Sequence, residues 1–204
     1  MDMRGSIGAA IVAAACAATP ASADILLDTT PANPAVSYVV GPFLGSNWSL
    51  AVPFSSNADT QITSITTYLL LLGEYDVGIM ADASGLPSGV FLDSEAVTPG
   101  TDPNTITPDW SVSPGTSYWL AVDSASNPTG GDSPQGWYQS AASTGTFAFN
   151  SGTGGWSTES AILPAAVISG AGPTSDVPEP LTLSLFGAGF VGLITMRRRK
   201  AKKA

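Results

Sequence analysis

From residue 24 to residue 172 the chain alternates short apolar runs with clusters of Gly, Pro, Ser, Asn and Asp. Apolar runs of this length, punctuated by turn residues and poor in helix formers, predict β-strands. The predicted strands are 36–40, 48–54, 62–72, 75–81, 90–97, 105–110, 118–123, 136–140, 146–150 and 165–168. Several show which way they face. In 117–123 the period of two puts Tyr118, Leu120 and Val122 on one face, the expected core face, and Trp119, Ala121 and Asp123 on the other. In the same way Val77, Ile79 and Ala81 point inward while Asp76, Gly78 and Met80 point outward. Ile62 and Ile65 have opposite parity, so the longest run is expected to contain a bulge or a bend. Residues 83–89 and 113–116 read as turns, because Gly tolerates positive φ and Pro fixes its own. Together these elements predict an all-β body, a single antiparallel β-sandwich of jelly-roll-like form.

The two flanks break this pattern. Arg4, an apolar stretch from Ile7 to Ala18 and Ala21-Ser22-Ala23 before Asp24 form the pattern of a secretory signal peptide over residues 1–23. The single cysteine, Cys16, lies inside it, so a chain cut at Asp24 has no disulfide, no cysteine metal ligand and no cysteine nucleophile. The body, residues 24–172, is followed by a linker, 173–180, then an uncharged span, 181–196, then a basic tail, 197–204. Sixteen residues of helix reach about 24 Å, slightly less than a bilayer core of about 30 Å. Snorkelling of Arg197 and its neighbours recovers the difference. The span therefore predicts a transmembrane helix, with its basic stop in the cytoplasm and the body on the exported side. Gly187, Gly189 and Gly192 make it a weaker helix than a permanent anchor ordinarily uses.

Charge follows the same division. Of the seven Lys and Arg residues Arg4 is one and 197–203 hold six, and there is no His. The body thus carries no cationic side chain. Setting Asp2 and Glu179 apart from the 16 acids leaves 14 between Asp24 and Asp176, a formal charge of −14. Such a surface repels phosphate, which excludes nucleic acid as a partner. Mutual repulsion raises the pKa of clustered carboxylates in the folded state, so stability should rise as pH falls through those raised values, and also with salt. The expected result is a higher melting temperature in added NaCl or CaCl2; a melt indifferent to both would contradict it.

The missing residue types also exclude chemistry. Without His, Lys, Arg or a mature Cys the body has no Ser-His-Asp arrangement, no lysine base or Schiff base and no arginine clamp. The expectation is a protein that is not an enzyme, with no catalytic residue. Paired acids remain, Glu74 with Asp76 and Asp93 with Glu95, and glycoside hydrolysis runs on two carboxyls; solvated acids near a hairpin turn account for them equally. No cofactor is implied. Calcium would suit the oxygen-rich segments 123–132 or Asp82 with Ser84, yet neither has EF-hand spacing and ordinary Asx turns explain both, so no metal site is assigned. Five tryptophans offer flat faces on which sugar rings could stack. Trp119, Trp137 and Tyr138 are the least easily placed in the interior and are the candidate carbohydrate contacts, with structural packing as the alternative.

Val177-Pro178-Glu179-Pro180, the glycine-bearing span and Arg197-Arg198-Arg199-Lys200 together resemble the PEP-CTERM protein-sorting signal of exopolysaccharide-producing Gram-negative bacteria. The resemblance covers residues 177–204. It implies that an exosortase recognises Val177, Pro178, Glu179 and Pro180 and removes the anchor, the chain being substrate rather than catalyst. The precursor would sit in the inner membrane with its C-terminus in the cytoplasm, and the product would reach the cell surface or an exopolysaccharide matrix, as in a biofilm. A permanently anchored bitopic protein shares this topology but keeps its tail. The body is similar to the choice-of-anchor β-sandwich domains that precede such tails, on the strength of the 82–89 turn, Gly115-Thr116-Ser117-Tyr118-Trp119 and Gly136-Trp137-Tyr138.

Overall fold

The computed structural model describes residues 23–43, 46–70, 74–98, 103–124, 135–152 and 154–172. They form thirteen strands and no helix, and all strand pairing is antiparallel apart from one isolated bridge between Ser56 and Pro114. In chain order these are β1 (Ala23–Asp28), β2 (Ala32–Phe43), β3 (Ser46–Ser55), β4 (Thr60–Thr67), β5 (Leu69–Leu70), β6 (Tyr75–Asp82), β7 (Pro87–Val97), β8 (Asn104–Ile106), β9 (Trp110–Val112), β10 (Ser117–Ser124), β11 (Gln135–Asn150), β12 (Trp156–Pro164) and β13 (Ala166–Ala171). One sheet has five strands in the order β1-β13-β4-β8, with β9 also on β4. The other has eight in the order β12-β11-β2-β3-β10-β6-β7, with β5 on β11. The predicted signal peptide and the predicted transmembrane span at 181–196 lie outside the described residues. No helix among those described is long and apolar enough to cross a membrane.

The alternation within strands builds the core as expected. Tyr118, Leu120 and Val122 of β10 and Tyr75, Val77 and Ile79 of β6 join Val40, Leu50, Val52, Trp137 and Phe147 from the eight-stranded sheet. Ile62, Ile65, Ile106, Val112, Ala166 and Ile168 of the five-stranded sheet complete the same cluster. Ile62 and Ile65 are both buried because the register against β13 slips between them: Ile65 faces Ile168, Ser64 faces Ser169, and Ile62 faces Gly170. Thr63 is the extra residue of a bulge that turns both isoleucines inward.

Four predicted elements differ from the observed ones. The run 62–72 is two strands: β4 pairs in the five-stranded sheet and β5 pairs with β11 in the other, with Tyr68 between them. The run 105–110 is also two, because Thr107-Pro108-Asp109 lie between β8 and β9 and proline cannot donate to the ladder. Residues 136–140 and 146–150 are one long strand, β11, that changes partners along its length. Finally, β1 and β12 were not predicted; β12 reads Ser-Thr-Glu-Ser for half its length, the polar composition of an exposed edge.

Two turns are dictated by their residues. Between β6 and β7, Ser84 and Gly85 have φ of 60° and 85°, and the Ala83 amide donates to the Leu86 carbonyl at 2.7 Å. Positive φ at both central positions is the two-residue hairpin geometry that matches strand twist, and glycine accepts it without strain. In β2, Gly41 at φ 91° stands where the strand leaves β11, last paired at Val40 opposite Gln135, and pairs with β3 at Trp48. Beyond Gly41 the strand continues against β3, with Pro42 opposite Asn47 and Phe43 opposite Ser46.

The outward face of the eight-stranded sheet is not simply solvated. Ala148 lies opposite Ala51, Ala51 opposite Ala121, and Ala121 opposite Gly78, a row of small residues across four strands. A Cβ at Gly78 would run into the Asp93 carbonyl. Met80 and Trp119 are buried with the three alanines, and Phe91 and Trp156 pack against them. A second, smaller apolar cluster therefore occupies the face predicted to be outside.

Candidate functional site

Where β2, β3, β11 and β12 meet, an open cavity of about 400 Å³ is lined by Tyr38, Val39, Phe43, Trp48, Leu50, Phe147, Phe149 and Glu159. Each wall comes from a local pattern. Phe147 and Phe149 are two apart on β11 and so share a face; Phe149 is opposite Leu50 and Phe147 opposite Glu159. Tyr38 lies against Phe147, ring centroids 4.6 Å apart and planes tilted by 43°. Trp48 stacks over Phe149 at 6.3 Å and 22°. Leu50 and Phe147 are buried, whereas Tyr38, Phe43, Trp48 and Phe149 are only partly buried, so the cleft opens from the core to solvent.

The polar groups of the cleft are few. The Tyr38 hydroxyl donates to the Ile162 carbonyl at 2.6 Å, which fixes the ring. Burial, and next the nearby Glu159 charge, hold this phenol above its ordinary pKa. Glu159 itself is exposed at the rim. As β12 is an edge strand, an acid on its core-facing side also discourages pairing with another chain. Asp93 and Glu95 stand likewise on the opposite edge, β7, facing Ile79 and Val77 across the ladder.

The predicted carbohydrate contacts are placed elsewhere, and all three are buried. Trp137 is fully enclosed in the core and its indole N–H donates to the Ala165 carbonyl at 2.8 Å. Trp119, 3 % exposed, lies in the small outer cluster and donates to Asp82 Oδ1 at 2.8 Å. Tyr138, 8 % exposed, continues β11 beside Trp137. Trp119 faces away from the main core, as the period of two requires, but the alanine row gives it a second interior. None of the three presents a ring face on which a sugar could stack. Trp48, another of the five tryptophans that could offer a stacking face, is more exposed than these three and lines the cleft; the sequence signal for the cleft is the alternation of Phe147 and Phe149 in a strand that ends in turn residues.

The candidate acids and metal ligands are placed as follows. Asp76 is directly opposite Asp123 on β10, with Glu74 two residues before it. Ser49 Oγ donates to Asp123 Oδ1 at 2.6 Å. Partial burial, then Asp123, then Glu74 hold the Asp76 carboxyl above its ordinary value. Asp82 accepts the Gly85 amide at 3.0 Å as well as the Trp119 indole, so it works as a turn residue. Residues 125–132 lie outside the described residues, and among the described ones no three His, Cys, Asp or Glu side chains converge to hold a metal.

A raised folded-state pKa at Asp76 lowers stability as pH climbs from about 3.8 through that raised value, and the penalty is complete above it. Asp76→Asn should therefore stabilise the protein at neutral pH, by under about 1 kcal/mol because the group is only partly buried, and raise the melting temperature accordingly. The gain should vanish below the ordinary aspartate pKa, as thermal melts of the full-length chain across pH would record.

Residues 177–180 and 197–200, the proposed sorting motif and basic stop, also lie outside the described residues; their assignment rests on sequence. Residues 176–200 match the family described as the PEP-CTERM protein-sorting motif. The chain carries a PEP-CTERM sorting motif. It is accordingly an exported protein sorted by way of the membrane, with an exosortase as its processing partner. No curated protein and no solved structure matches the chain. The PEP-CTERM match covers the tail and leaves the body, with its aromatic cleft, to be read from its own residues.

Proposed function

We propose that this is a non-enzymatic PEP-CTERM surface protein. Its span 181–196 holds it in the inner membrane, with Arg197, Arg198, Arg199 and Lys200 in the cytoplasm, until an exosortase acts at Val177-Pro178-Glu179-Pro180. The body is then released to the Gram-negative cell surface or an exopolysaccharide matrix of the biofilm kind. The match over residues 176–200 carries this reading. The signal-peptide pattern at residues 1–23 supports the same topology. The body is proposed as a single sandwich, supported by one hydrophobic cluster fed from both sheets.

The non-enzymatic reading rests on residue types. A body without His, Lys, Arg or Cys leaves carboxylates as its only strong acid–base groups. Glu74 and Asp76 sit beside a third acid, Asp123, and Asp93 with Glu95 decorates an exposed edge strand. Neither pair belongs to the aromatic cleft. Fractionation of cells with and without an active exosortase tests the proposal: the body should leave the membrane only when the enzyme is present. Retention of the tail in both strains would support the permanently anchored alternative.

A further inference from the structure

We propose that the cleft between β2, β3, β11 and β12 binds a small organic cation, an alkylated or quaternary ammonium group, on its aromatic walls. Tyr38, Phe43, Trp48 and Phe149 are partly buried rings around an opening of about 400 Å³, within the size range of small-molecule sites. The negative faces of such rings attract a cation within about 6 Å, and tryptophan does so most strongly. Glu159 supplies a full negative charge at the rim, on the same side of the β11–β12 ladder as Phe147. Its field reaches into the cleft, as the effect on the Tyr38 phenol indicates.

Charge complementarity selects this occupant over a neutral one. Between Asp24 and Asp176 there are 14 acids and no Lys, Arg or His, so no side chain of the body can neutralise Glu159. An arriving cation meets a uniformly negative surface, which raises its local concentration. A sugar would need several donors and acceptors for its hydroxyls. Here the walls are apolar, and the Tyr38 hydroxyl already donates to the Ile162 carbonyl. A trimethylammonium group asks only for aromatic faces and a carboxylate, and the cleft offers both.

The test uses the full-length chain in a polyoxyethylene detergent, which carries neither ammonium nor sugar, titrated calorimetrically with choline chloride. Its uncharged isostere, 3,3-dimethylbutan-1-ol, and glucose are titrated in parallel. Choline should bind about tenfold tighter than the isostere, the ratio expected for a cation–π contribution of ordinary size. Glu159→Gln, at an exposed position, should weaken choline severalfold, leave the isostere unchanged and leave the melting temperature unchanged. Trp48→Ala should weaken both. Equal affinity for choline and the isostere, absence of choline binding, or binding of glucose in preference to choline would each overturn the proposal.

Discussion

Replacing Pro178 and Glu179 by alanine together should leave the protein in the membrane fraction, uncut, while the wild type accumulates outside it. The expected effect is close to complete, because recognition of a short motif by a processing enzyme depends on few groups. Proline fixes φ near −65° and has no amide hydrogen, so a Pro-Glu-Pro sequence restricts the conformations in which an enzyme would meet Glu179. Alanine at 178 removes that stiffness, and alanine at 179 removes the only charge between Asp176 and Arg197. The span 181–196 and the basic stop are untouched in this variant, so the proposed membrane insertion should be preserved. Cell fractionation with immunoblotting reads the outcome. Release of the double variant at the wild-type rate would show that the motif is not the recognition element.

The second large effect concerns the body. Trp137→Ala should destabilise it by about 3–5 kcal/mol, the range for removing a buried large aromatic side chain. Trp137 is fully enclosed among residues of both sheets, and its indole N–H satisfies the Ala165 carbonyl. Truncation would open a cavity and leave that carbonyl without its donor. Trp137→Phe keeps most of the apolar area but not the hydrogen bond, and should cost roughly 1–3 kcal/mol. At about 2–4 °C per kcal/mol for a chain of this size, the alanine variant should melt on the order of 10 °C lower. Trp48→Ala, at a partly buried ring, should change the melt far less. A melting temperature for Trp137→Ala equal to the wild type would contradict the enclosed position of this residue.

How much of this could be read beforehand differs by element. The strand character of the body, the facing of Tyr118, Leu120 and Val122, and the bulge between Ile62 and Ile65 follow from periodicity alone, since a period of two assigns each side chain to a face. The Ser84-Gly85 turn follows from residue type. What periodicity cannot supply is the partner across the ladder. The alanine row that buries Trp119 joins β11, β3, β10 and β6, and only their pairing shows that small residues meet. The transfer of the chain between sheets at Tyr68 is hidden as well, because no Gly, Pro, Asn or Asp between Thr60 and Leu70 marks a break between β4 and β5.

The cleft was the least legible part. Tyr38, Trp48, Phe149 and Glu159 come from four strands, and only the pairing of those strands brings them together. The sorting signal is the opposite case. Its information is local, a motif, a span and a basic stop in fixed order, so sequence alone identifies it.

The most direct test of the account is the intact mass of the protein recovered from the medium and from washed cell surfaces. The account predicts a released chain that begins near Asp24 and lacks the apolar span and basic tail, with the full tail present only in the membrane fraction or in cells without an active exosortase. A released protein that retains residues 181–204 would contradict it.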